Sequence, residues 1–147
     1  AGVTESQLRN IVNVASNAKR QSKHEKWRNR ILWVDDRPEN NVYERQAFEA
    51  QGIEFALALS TDEALELLKT NKFAAIISDM DRKEGAQEGY VLLERLRAMG
   101  DKTPFMIYAS SDLPEHKKMA RERGAIGSTN RAEELFQIVM GAITNGS

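Results

Sequence analysis

The 147-residue chain contains no cysteine, which excludes a disulfide framework, a thiolate metal site and a cysteine nucleophile, and fits a reducing compartment such as the cytoplasm. It has only two histidines, His24 and His116, isolated from each other, so neither is assigned a catalytic role. No apolar run approaches the length of a membrane span, and no signal-peptide pattern, internal repeat or low-complexity segment is found. The net charge of −1 hides an asymmetry. Residues 1–30 carry seven Lys/Arg against two acids, whereas residues 31–147 carry fourteen against twenty. An acidic body argues against nucleic acid as a main partner. The length suits one domain with a substantial core.

Two short apolar runs end in acids. Arg30-Ile31-Leu32-Trp33-Val34 leads into Asp35-Asp36, and Phe73-Ala74-Ala75-Ile76-Ile77-Ser78 leads into Asp79. Apolar runs without alternation, separated by helical patterns, read as parallel strands covered on both faces. Ligand sites in such sheets lie beyond the carboxyl ends of the strands, so Asp35, Asp36 and Asp79 are expected to meet. Three carboxylates in one place repel unless a cation sits between them, and hard oxygen donors suit Mg²⁺.

The rest of the chain fits the same reading. Five strand–helix alternations are expected, with strands near 30–35, 53–59, 73–78, 104–109 and 125–128 and helices near 38–51, 61–71, 87–99, 113–123 and 131–144. Pro38 suits a first helical turn, Ser60-Thr61-Asp62-Glu63 and Ser111-Asp112-Leu113-Pro114-Glu115 are start signals, and Gly52, Gly100 and Gly124 are stops. Residues 1–29 form a separate unit in this reading, a helix or linker preceding a domain at 30–147. Its helix, over 5–26, places Leu8, Ile11, Val12, Ala15 and Ala18 on one face, with Thr4 as N-cap. That stripe is too short for an independent coiled coil, and a linker or homodimer helix is expected. The basic run from Lys19 to Arg30 would face anionic lipid only if a membrane segment lay upstream.

Taken in order, the acidic pair, the lone Asp79, Thr103-Pro104 opening strand four and Gly124-Ala125 before strand five resemble a response-regulator receiver domain, over about residues 30–145. The resemblance implies a flavodoxin-like α/β fold with a five-stranded parallel sheet in the order 2-1-3-4-5, here with an extra N-terminal helix. It implies Asp79 as phosphoacceptor, and Mg²⁺ held by Asp35, Asp36, Asp79 and the backbone carbonyl of Asp81. A histidine kinase or phosphotransfer protein would be the partner. The chain would be a phosphoacceptor rather than an enzyme, beyond self-phosphorylation and self-dephosphorylation. No output segment follows the last expected helix, so output is expected through protein contact, phosphate sinking or a domain outside this chain.

The chain also departs from the family. The segment after Asp79 lacks proline and is about two residues longer than usual. The family's switch hydroxyl falls on Ala109, with Ser110 following as a possible substitute on the opposite strand face. Its aromatic switch falls on Ser128, its lysine on Arg131 and its following proline on Ala132. Arg131 keeps the charge without the compact shape of an ammonium. Either an atypical receiver or a phosphorylation-independent pseudo-receiver is expected. Asp79-Met80-Asp81 imitates the phosphatase Asp-x-Asp motif, but it ends the third strand rather than the first. Gly124-Ala125-Ile126-Gly127-Ser128 lacks the spacing and lysine of a phosphate loop.

Overall fold

The computed structural model describes residues 26–81, 85 and 87–145. Five parallel strands occupy Arg30–Val34 (β1), Glu54–Ala58 (β2), Ala75–Ser78 (β3), Phe105–Tyr108 (β4) and Gly127–Thr129 (β5). They alternate with helices Val42–Glu49 (α1), Thr61–Thr70 (α2), Glu88–Ala98 (α3), Pro114–Glu122 (α4) and Ala132–Asn145 (α5). The strand order is β2-β1-β3-β4-β5, the flavodoxin-like arrangement expected. The proposed helix at 5–26 and the homodimer contact assigned to it lie outside the described residues. Lys26–Asn29 forms a 3₁₀ turn leading into β1, and the ring of Trp27 packs under the Lys72 ammonium, 3.9 Å from its centroid.

The apolar strands do not alternate because both faces are covered. Leu32, Val34, Ile76 and Ile107 pack with Ala64 of α2 and Leu92, Leu93 and Leu96 of α3. Ile31, Trp33, Ile77 and Met106 face the other way, against Phe48 of α1 and Leu135 and Val139 of α5. Trp33 lies edge-on to Tyr108, with ring centroids 6.0 Å apart, and its buried indole N–H has no partner among the described residues. Gly127 is a packing glycine rather than part of a phosphate loop. A Cβ there would lie 3.3 Å from Met106 Sδ and 3.4 Å from Ile138 Cδ1.

Local signals mostly act as expected. Ser60 Oγ caps α2 by accepting the Glu63 N–H at 3.1 Å. The three stop glycines take φ between +80° and +105°. Two signals differ in detail. Pro38 opens a 3₁₀ turn, Pro38–Asn41, before the α-helix proper. Before α4 the N-cap falls on Leu113, because Pro114 takes the first helical position. Ser111 Oγ accepts the Leu113 N–H at 3.2 Å instead.

Candidate functional site

The register of β1 and β3 pairs Val34 with Ser78. One residue further, the Asp79 N–H donates to the Val34 carbonyl at 3.1 Å and the Asp35 N–H to the Ala58 carbonyl at 2.9 Å. Asp35 and Asp79 therefore leave adjacent strands side by side, with Asp36 following. One carboxylate oxygen from each of Asp35, Asp36 and Asp79 lies within 4.8 Å of the others, and all three residues are half-buried. Three hard oxygen donors so placed fit Mg²⁺ rather than a thiolate- or imidazole-seeking ion.

Asp35 is oriented from outside the cluster. Its Oδ1 accepts the Arg37 N–H at 2.7 Å and its Oδ2 accepts from Asn41 Nδ2 at 3.2 Å. Asn41 is itself only 2% exposed, and its side-chain Oδ1 accepts from Arg45 Nε at 2.6 Å. Arg45 also donates to the Pro38 carbonyl at 2.8 Å, so one guanidinium clamps the whole 3₁₀ turn. Sequence reasoning missed Asn41. It sits in Glu39-Asn40-Asn41, which reads as an ordinary solvated helix start.

Asp79 is held through its backbone. The Gly89 N–H donates to the Met80 carbonyl at 3.0 Å, bringing the first turn of α3 against the end of β3. A Cβ at residue 89 would lie 2.6 Å from the Asp79 carbonyl oxygen, so only glycine fits. The exposed Asp81 turns its side chain to the start of α3, Oδ1 accepting the Gln87 N–H at 3.0 Å, while Gln87 takes φ +62°. Thr61 Oγ1 donates to Glu88 Oε2 at 3.0 Å, tying α2 to the start of α3.

The remaining expected residues lie along β4 and β5. Ala109 is half-buried and extends the β4–β5 ladder, its N–H donating to the Thr129 carbonyl at 2.9 Å. Ser110 is exposed just beyond the strand. Ser111 Oγ lies 2.6 Å from His116 Nδ1. Arg131 is ion-paired with Glu134, one turn into α5. The other oxygen of Glu134 binds Lys117 of α4, which also meets Asp112 at 2.8 Å. These bonds, from Lys117 first and Arg131 second, hold the Glu134 carboxyl down to about 2 from its ordinary 4.5. Bonds from Asp112 and then Glu134 raise the pKa of Lys117 in turn. This network was not anticipated. The available signal was that Lys117 lies on the same helical face as the buried Ala120, three residues on.

With this geometry in place, the comparisons are specific. The family model "Response regulator receiver domain" matches residues 31–137, and the chain belongs to that family. The receiver domain of Francisella response regulator 1452 superposes with a TM-score of 0.71 at 25% identity, over 80% of this chain and 98% of that one. A two-component response regulator from Clostridium difficile gives 0.67 at 20% identity, covering 78% and 95%. The chemotaxis response regulator CheY4 of Vibrio cholerae gives 0.65 at 23%, covering 77% and 97%. These last two speak to the fold alone. No curated protein matches this chain in sequence. Among the described residues, no helix is long and apolar enough to cross a membrane.

Proposed function

We propose that the chain is a cytoplasmic phosphoacceptor module of a two-component or phosphorelay system, modified on Asp79 by a histidine kinase or phosphotransfer protein. The observation that carries this reading is the convergence of Asp35, Asp36 and Asp79 at the ends of β1 and β3. Those three carboxylates, with the backbone carbonyl of Asp81, would hold Mg²⁺. When bound, the ion supplies neutralising charge for the phosphoryl oxygens.

The chain's own residues do the positioning. Asp79 presents a carboxylate oxygen as nucleophile from a strand end fixed on both sides, by Val34 and by α3. Asn41 and the Arg37 N–H fix the rotamer of Asp35, so that it faces the cluster without reordering. The P–O bond to Asp79 forms as the P–N bond of the donor phosphohistidine breaks, and the imidazole leaves as a neutral ring. The relay from this site is atypical. Ala109 offers no hydroxyl, Ser128 no ring, and Arg131 is engaged by Glu134. Ser110 is the hydroxyl nearest in sequence to the switch position.

The test is intact mass after incubation with Mg²⁺ and a small phosphodonor or a phosphorylated partner, beside Asp79→Asn. Gain of one phosphoryl group that needs both Mg²⁺ and Asp79 is the expected result. Labelling that survives Asp79→Asn defeats the assignment. The substitutions at Ala109 and Ser128 favour one second reading, a pseudo-receiver that binds its partner without phosphorylation. It predicts partner affinity indifferent to phosphodonor and Mg²⁺.

A further inference from the structure

The end of the sheet opposite the acidic cluster is basic. A cavity of about 530 Å³ opens there, at the amino ends of β1, β3 and β4 and beside the last turn of α5. The five residues of β1, about 16 Å of strand, separate it from Asp35. Arg28, Lys72 and Lys102 line it, against one carboxylate, that of Asp101. That carboxylate is engaged within its own loop, Oδ1 accepting the Thr103 N–H at 2.8 Å and the Thr103 hydroxyl at 2.6 Å. Lys72 and Lys102 take part in no ion pair among the described residues, and Lys72 Nζ rests on the Trp27 ring instead. The backbone at this pole is satisfied internally. The Ala74 N–H donates to the Arg30 carbonyl and the Ile76 N–H to the Pro104 carbonyl, both at 2.8 Å. What the pole presents is cationic side chains with an indole among them.

We infer that this pole docks on an anionic lipid surface and holds the acidic cluster away from it. In sequence the pole continues upstream through Lys19, Arg20, Lys23 and Lys26 to Arg28 and Arg30, with Glu25 the one acid in the run. Taken alone, that run reaches lipid only behind an upstream membrane segment. The fold adds Lys72, Lys102 and Trp27 to it, and the combined cations make a cluster of the size that binds anionic headgroups. Ammonium groups act as point charges, suited to a plane of headgroups rather than to one bidentate carboxylate. Trp27, half-buried beside Pro104 and Ile143, is the kind of side chain that belongs at a lipid–water boundary. Residues 31–147 carry fourteen Lys/Arg against twenty acids, so the same surface repels the rest of the domain and fixes its orientation. That excess of acids also disfavours nucleic acid as the occupant. Asp79 then faces outward, open to a phosphodonor. The inference needs neither Mg²⁺ nor Asp79, so it stands or falls apart from the phosphoacceptor reading.

The experiment sediments the full chain with vesicles of phosphatidylcholine, with and without an equal part of phosphatidylglycerol. Co-sedimentation is expected with the mixed vesicles alone, weakening as salt rises. Lys72→Gln and Lys102→Gln should each weaken binding about fivefold, and together about 25-fold, the effect of one surface lysine apiece. Lys118→Gln, the same charge change on the exposed face of α4, should stay within about twofold of the parent. Of the two tryptophans, Trp33 is buried and Trp27 is not, so a blue shift in emission on the mixed vesicles reports Trp27 entering the interface. Trp27→Phe should abolish that shift. If a glutamine variant does not fold, the blue shift in the unaltered protein decides. No sedimentation on the mixed vesicles, equal sedimentation on pure phosphatidylcholine, or losses in Lys72→Gln and Lys102→Gln no larger than in Lys118→Gln would overturn the inference. So would capture by poly-glutamate without binding to vesicles, which assigns the pole to an acidic polypeptide.

Discussion

The guanidinium of Arg131 and the ammonium of Lys117 share the carboxylate of Glu134, one on each oxygen. Arg131 aligns with the cation expected at the phosphoryl group, so its partner in the resting protein sets how readily it can be used there. Arg131 is 61% exposed, so solvent screens the pair and the hold on it is weak. Glu134→Gln removes the competing charge. Under the proposed function, Asp79 labelling should then speed up about two- to fivefold, the modest effect of releasing a weakly held cation. The time course of mass gain measures it. An unchanged rate would mean that Arg131 takes no part.

The same carboxylate gives the fold an acid-sensitive joint between α4 and α5. Its pKa is depressed in the folded protein, to about 2 from 4.5. The contribution is therefore complete above 4.5 and is lost as pH falls toward 2, where the group is protonated in both states. Urea unfolding at pH 6 should show Glu134→Gln less stable than the parent. The gap should narrow on acidification and close near pH 2. A gap that persisted unchanged at low pH would show that the glutamine perturbs packing rather than the ion pairs.

Asn41 links Asp35 to Arg45, donating to one and accepting from the other. Asn41→Ala removes the bond that orients Asp35 Oδ2 and leaves Arg45 Nε without its buried acceptor. Groups that orient a metal ligand typically change metal affinity about 10–100-fold. Calorimetric titration of Mg²⁺ should show a loss at the lower end of that range, since the Arg37 N–H still holds Oδ1. A value equal to the parent's would remove Asp35 from the metal site.

The sequence made the sheet legible because a doubly covered parallel strand has one appearance, an unbroken apolar run, and β1 and β3 both have it. From those two strands the meeting of Asp35, Asp36 and Asp79 followed by topology alone. What stayed hidden depends on which polar residue is carried inward. Asn41 and Asn40 are adjacent and chemically identical, yet only Asn41 is buried against Asp35. Lys117 and Lys118 differ in the same way; one joins Asp112 and Glu134, the other lies exposed on the helix. The backbone carbonyl of Asp81 was the atom expected at the site; that its side chain accepts the Gln87 N–H had no signal in the sequence. Side-chain partners across 6 to 17 residues have no period to betray them.

Two glycines carry opposite predictions for the same substitution. At Gly89 the added methyl would sit 2.6 Å from the Asp79 carbonyl oxygen and 3.3 Å from Met80 Cα, both backbone atoms that cannot rotate away. Overpacking of this kind costs about 1–3 kcal/mol. The strain falls on the peptide that carries the proposed nucleophile, so Gly89→Ala should lower stability and slow Asp79 labelling together. Gly141 lies within α5, and a methyl there would meet nothing within 4 Å. In a helix interior, alanine outperforms glycine by about 0.5–1 kcal/mol. Gly141→Ala should therefore raise the urea midpoint and leave labelling unchanged. If Gly89→Ala were as well tolerated as Gly141→Ala, the close approach of α3 to the end of β3 would be wrong, and with it the rigid seat assigned to Asp79.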